Sequence, residues 1–248
     1  MFRGILYSVF QSRITWKICT LNPKRTYIDG WRKLNFMNNH YPFELKPLPY
    51  AYDALEPFID TKTMQLHHDR HLLTYINNLN AALKDYPELW GWSLEQLLYY
   101  NDLVPEKIRT AVKNNAGGVY NHNAYFAGMT NDATQKNQAA APNLMRQINT
   151  QFGSFDNFKI QFKTQVLAVF GSGYTNLATD QSGQLNIINT PNQDTMLSQN
   201  LAPIILIDAW EHAYYLKHYN LRADYIDDWF NVLNLSQAEK NYIGVKQS

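Results

Sequence analysis

The sequence predicts an α+β protein. A long α-helical hairpin comes first, followed by a C-terminal α/β domain with a small three-stranded antiparallel sheet. Three observations carry this reading. Two long stretches of helical period flank a proline-marked loop, the period shortens to that of strands beyond Gly171-Ser172-Gly173, and 248 residues that are 45% hydrophobic suffice for a sizeable core. The expected organisation is a leader or extension over residues 1–39, a helical-hairpin domain over 40–129 and an α+β domain over 130–248.

Residues 41–57 contain four prolines and read as an extended arm. Asp60 or Thr61 then caps a helix whose apolar stripe runs through Met64, Leu66, Leu72, Leu79 and Leu83, and Pro87 ends it. After a loop around Trp90–Ser93, a second helix is expected from about Pro105 to Met129, carried by Ile108, Val112, Val119 and Phe126. The polar Asn/Gln/Ala-rich segment 130–141 reads as a linker. Pro142 opens a helix to residue 152, and Ser154 caps another through Phe155, Phe158, Phe162 and Val166. Tyr174–Thr179 and Gln184–Thr190 alternate as strands and are joined by the turn Asp180-Gln-Ser-Gly183. The β-branched run Pro203–Ile207 reads as a third, buried strand. Helices from Trp210 to about Tyr219 and from Tyr225 to Leu233 complete the outline.

The net charge of +1 conceals an asymmetry. Of the 22 basic and 21 acidic side chains, seven and one fall in residues 1–39, which leaves 15 and 20 in residues 40–248, a net charge of −5. Nucleic acid is therefore not expected as a partner. A membrane is not expected either, because no run approaches the ~18 apolar residues of a spanning helix. The single cysteine, Cys19, excludes an intramolecular disulfide. Residues 1–39 are basic and include Ser8, Ser12, Thr15 and Thr20, as a mitochondrial presequence would. Met37 offers a second start. The expected location is the cytoplasm for a chain starting near Met37, or the mitochondrial matrix if the segment is a presequence.

On the first helix His67, His71 and Tyr75 are spaced i, i+4, i+8 and share a face, while His68 points elsewhere. One histidine on an apolar face is ordinarily a packed core residue, but three stacked polar rings each need a buried partner. His122, on the second helix of the hairpin, can come level with His67. Asp208 ends the buried third strand and His212 follows four residues later in the first turns of a helix, so two donors converge. The alternative is that Asp208 merely caps that helix. Three imidazoles and a carboxylate suit manganese, iron or zinc. A di-iron site lacks its Glu-x-x-His helices and a zinc protease its His-Glu-x-x-His. Spacing thus leads to one mononuclear metal site with the metal open.

Several stretches, in order across residues 43–233, resemble the iron/manganese superoxide dismutase family. They are Pro47-Leu-Pro-Tyr-Ala-Tyr-Asp-Ala-Leu-Glu-Pro57, Met64-Gln-Leu-His-His-Asp-Arg-His71, Tyr75-Ile-Asn-Asn-Leu-Asn80, Asn121-His122, Phe152-Gly-Ser-Phe155, Pro191-Asn-Gln-Asp194 and Asp208-Ala-Trp-Glu-His-Ala-Tyr-Tyr215. The last is the most specific. The resemblance implies that His67, His122, Asp208 and His212 are ligands of one redox metal ion per subunit, which disproportionates superoxide to oxygen and hydrogen peroxide. It further implies that Gln193 hydrogen-bonds metal-bound solvent and that His71 and Tyr75 gate substrate and protons. Arg70 and Arg222 would line a basic funnel for the anion. In a homodimer or homotetramer, Glu211 would reach a ligand histidine of the other subunit and Tyr215 the other subunit's His71. Trp210 falls inside the same ligand-bearing motif.

Members that use manganese carry the outer glutamine in the Asn-Gln-Asp stretch and a glycine four residues before the second histidine ligand. Iron members usually place glutamine at that earlier position. Gly118 and Gln193 form the manganese arrangement, so manganese is expected in preference to iron. The chain departs from the family at Tyr174 and Asn176, where tryptophans are usual, and at Val119 and Phe126, where histidine and tryptophan are usual. A phenol at Tyr174 can hydrogen-bond Gln193 as an indole does, whereas Asn176 risks a cavity. These departures leave a second reading open, a family member that keeps its metal for structure or storage with weak turnover.

Overall fold

The computed structural model describes residues 40–246. The expectations for residues 1–39 lie outside the described residues. The proline arm is extended only to about Leu48 and then winds through consecutive turns over residues 52–58. It is tied down where Phe43 N donates to Asn80 Oδ1 (2.9 Å) and Asn80 Nδ2 donates back to Phe43 O (2.8 Å).

Helix α1 begins at Thr61, because Asp60 Oδ1 accepts from Thr63 N at 2.8 Å. It is α-helical over Thr61–Leu66, π-helical over His67–Leu72 and α-helical again over Leu73–Leu83. The wide turn falls on His67, His68 and His71; such turns recur at functional sites. A short helix, α2 (Leu94–Tyr99), follows the Trp90 loop and is closed by a capping box between Ser93 and Gln96. Six residues carry too little periodicity to predict it, although Ser-x-x-Gln was visible. Helix α3 (Glu106–Ala127) packs along α1 as the second arm of the hairpin, with Ile108, Val112, Val119 and Phe126 buried as expected.

The expected linker 130–141 is instead partly structured. Asp132 caps α4 (Ala133–Lys136) and a 3-10 turn spans Gln138–Ala140. Helices α5 (Pro142–Phe152) and α6 (Phe155–Leu167) start at Pro142 and at the Ser154 cap, as predicted. The antiparallel sheet has the order β2-β1-β3, from β1 (Gly173–Thr179), β2 (Leu185–Pro191) and β3 (Ala202–Asp208). Gly183 closes the β1–β2 turn at φ +79°, a conformation suited to glycine, and its N donates to Asp180 O at 3.1 Å. The central strand β1 and edge strand β3 are buried along their length. Asn176 leaves no bare polar gap: its Nδ2 lies 3.3 Å from the Thr190 hydroxyl.

The single helix expected over Trp210–Tyr219 is broken. Glu211–Ala213 is a 3-10 turn, Tyr214 leaves helical geometry, and α7 covers only Tyr215–His218. Helix α8 (Arg222–Phe230) starts three residues before the expected Tyr225. A final helix, α9 (Leu235–Lys246), was not anticipated. Leu235, Ala238, Tyr242 and Val245 make its buried stripe at helical spacing.

Candidate metal centre

Four donors from four places in the chain meet between the hairpin and the sheet. His67 comes from the π turn of α1, His122 from the C-terminal part of α3, Asp208 from the end of β3 and His212 from the 3-10 turn that follows. One ligand atom from each lies within 4.8 Å of all the others. His67 Nε2 stands 3.3 Å and His212 Nε2 3.4 Å from Asp208 Oδ2. The His67 ring centroid is 4.8 Å from that of His122 and 4.6 Å from that of His212. His212 therefore reaches the site from a tight turn, not from the helix expected at Trp210.

The electrostatics fit a cation. His67 Nε2, His122 Nε2, His212 Nε2 and Asp208 Oδ2 are all buried and have no hydrogen-bond partner. Four converging unsatisfied polar atoms are costly in a protein interior unless a positive ion occupies their centre and takes a lone pair from each. The tautomer of His122 is fixed, since its Nδ1–H donates to Gly118 O at 2.7 Å and so leaves the Nε2 lone pair facing inward. Burial lowers the pKa of His122 to about 4 and that of His67 well below the usual imidazole value, so both rings are neutral donors at neutral pH. Burial alone would raise Asp208, but the neighbouring His212 and His67 outweigh it and hold the carboxyl well below its ordinary range. The residues thus offer three imidazole nitrogens and one carboxylate, a set that suits one manganese or iron ion.

The alternative role for Asp208, capping a helix that begins at Trp210, is not found: the turn that follows starts at Glu211 with Trp210 as its N-cap and no side-chain cap. Asp208 Oδ1 accepts from Trp210 N at 2.8 Å while Oδ2 stays with the donors. Tyr225 OH donates to Asp208 O at 2.9 Å and lies 3.0 Å from Tyr125 OH, which buttresses the strand end. Neither tyrosine was singled out from the sequence; their spacing gives no sign of this contact. Trp210 tilts over His212 with ring centroids 5.5 Å apart.

A second group of predicted residues lines one side of the cluster. His71 is exposed and stacks on His212 at 4.2 Å. The Tyr75 ring lies 5.2 Å from that of His122. Gln193 is buried and its Nε2 donates to Tyr75 OH at 3.1 Å. Asn121 Nδ2 donates to Gln193 Oε1 at 3.3 Å, a role its place beside His122 could have suggested. Tyr174 is fully buried, edge-on to His122 at 6.4 Å, with its hydroxyl facing Gln193 and Asp208. His68 does point elsewhere, with Nε2 2.8 Å from Lys46 O and Nδ1 2.7 Å from Asp69 Oδ1.

The remaining predicted residues lie outside this cluster. Arg70 and Glu211 are exposed, and Tyr215 is 48% exposed with its ring against Tyr219. Arg222 spends its guanidinium on Tyr214 OH, Val169 O and Gly171 O.

Comparison with known proteins bears on these residues together. Residues 42–130 match the family model for the alpha-hairpin domain of iron/manganese superoxide dismutases, and residues 140–241 match that for their C-terminal domain. The chain is 45% identical over 203 residues to superoxide dismutase (Mn) 1 of Leptolyngbya boryana, covering 81% of each chain. It is 44% identical over 200 residues to superoxide dismutase (Mn) of Thermus thermophilus, covering 81% of this chain and 97% of the relative.

Proposed function

The chain belongs to the iron/manganese superoxide dismutase family and disproportionates superoxide to oxygen and hydrogen peroxide; from that premise we propose manganese as its working metal, and a route by which its residues deliver protons. The observation that carries the reaction is the set of four buried, unpartnered donor atoms at one point. Manganese is supported by the Gly118 and Gln193 pair and by the manganese named for both relatives.

When bound, the ion supplies one-electron exchange in both directions, so that two superoxide ions and two protons yield one oxygen and one hydrogen peroxide. Everything else falls to side chains. Tyr75 is partly buried, which raises its phenol above its ordinary pKa and keeps it protonated at neutral pH. Because Gln193 Nε2 donates to the Tyr75 oxygen, the phenol's own proton is free to be donated into the site. Asn121 holds the Gln193 oxygen, so the amide presents its NH2 end to Tyr75. His71, exposed above His212, stands where substrate and water enter. Arg70 and Arg222 would give the entrance a local positive field, although residues 40–248 are acidic overall.

A homodimer is part of this proposal, with Glu211 and Tyr215 meeting the partner's site and a tetramer as the larger option. The exposure of Phe170, Tyr215, Leu216, Tyr219 and Leu221 supports an apolar contact there. Sedimentation should give a dimer or tetramer that Glu211→Ala weakens; a monomer at micromolar concentration would remove this part. The N-terminus of the mature protein separates a cytoplasmic enzyme starting near Met37 from a matrix enzyme that has shed a presequence.

The buried Tyr174 phenol beside Gln193, where the family usually has tryptophan, favours a second reading in which the metal is held with weak turnover. Loading the protein separately with manganese and with iron decides. Fast superoxide removal with manganese and little with iron supports the first reading, and stoichiometric metal without turnover under either loading supports the second.

A further inference from the structure

Two successive glycines lie inside α3, where glycine is unfavourable for the helix and neither needs a left-handed backbone. Close approach explains both. A Cβ on Gly117 would lie 2.1 Å from Gln193 O and 3.2 Å from its carbonyl carbon. A Cβ on Gly118 would lie 2.4 Å from both Cγ and Cδ1 of Tyr75. Each residue shares a helix stripe with a group one turn on. Gly117 is followed by Asn121, which holds the Gln193 side chain, and Gly118 by His122, whose ring Tyr75 packs beside.

We propose that Gly117 and Gly118 are positioning residues that set the Gln193–Tyr75 hydrogen bond, by seating the Gln193 backbone and the Tyr75 ring on bare helix. This deepens the reading of Gln193 and Tyr75 as the proton route and rests on it. Gln193 is gripped at both ends by one stripe, its carbonyl against Gly117 and its amide oxygen on Asn121. The neighbouring stripe fixes Tyr75 against the helix that carries His122. A side chain at either glycine pushes one partner off the other while leaving all four metal donors in place.

The test uses the full chain loaded with manganese, with Gly118→Ala and Gly117→Ala made separately. Metal content and helicity should be retained. Crystal structures should show the Tyr75 OH to Gln193 Nε2 distance opened from 3.1 Å to beyond about 3.5 Å. Turnover should fall about tenfold or more, as for other groups that orient a metal site from outside. On a Tyr75→Phe background the added loss from Gly118→Ala should shrink to about twofold or less, because the two changes break one contact. An unchanged distance with unchanged turnover in Gly118→Ala overturns the proposal, as does full additivity with Tyr75→Phe. If Gly117→Ala fails to fold, Gly118→Ala still decides, since the Tyr75 ring can turn aside where a backbone carbonyl cannot. Tyr75→Phe and Gln193→Ala alone test the underlying reading. If they run at the parent rate, the proton route fails; if they are slow while Gly118→Ala is not, only the glycine seats fail.

Discussion

His122 is where the chemistry of the centre meets folding. Its usual pKa of 6.5 falls to about 4 through burial. Between those values the unfolded chain binds a proton that the folded one refuses, so this contribution is complete above pH 6.5 and is lost as pH falls toward 4. The metal-free protein should therefore lose melting temperature over that interval, and His122→Gln should flatten the slope. An equally steep slope in the variant would contradict the assignment. The metal is expected to leave over the same range as the imidazoles take up protons. At this scale the ligand types and their spacing were legible, because histidines on helical stripes and an aspartate ending an apolar strand are local patterns. The buttress of Tyr125 and Tyr225 behind Asp208 was not legible, since it joins residues 100 apart through a contact no periodicity encodes. Gly117 was equally hidden, because what it makes room for is the backbone of a distant loop.

Among the elements, α9 lies beyond the last helix expected from the sequence, yet part of the C-terminal region depends on it. Glu239 on that helix accepts from Asn143 N (3.1 Å), Asn143 Nδ2 (2.7 Å) and Leu144 N (2.8 Å), which satisfies the first turn of α5. Glu239→Ala should cost about 2 kcal/mol in urea unfolding, the range for hydrogen bonds to a charged group. A loss under about 0.5 kcal/mol would mean that water replaces the carboxylate at no cost. The long helices and all three strands were readable because their apolar periods run for several turns or a full strand. The short elements α2, α4 and α7 were not, since four to six residues are governed by caps and tertiary contacts instead. The break after Trp210 matters most: Asp208 Oδ1 accepts from Trp210 N, a 3-10 turn follows, and His212 is delivered to the site. An uninterrupted helix is the simpler expectation from Trp-Glu-His-Ala-Tyr-Tyr, and the local turn that replaces it is held by a side-chain contact of Asp208.

Across the whole molecule, an acidic protein of net charge −5 over residues 40–248 must admit an anion. If Arg70 and Arg222 set the field at the entrance, kcat/KM for superoxide should fall as salt rises and screens them. If the overall negative charge governs approach, it should rise instead. Whether one ion held by His67, His122, Asp208 and His212 carries the reaction is decided by turnover measured against manganese bound per chain in a single loading series. Turnover should rise along a line through the origin that ends at one ion per chain, and should collapse in Asp208→Ala. Turnover that does not track bound metal, or one ion per chain with no turnover, would contradict this role of the ion.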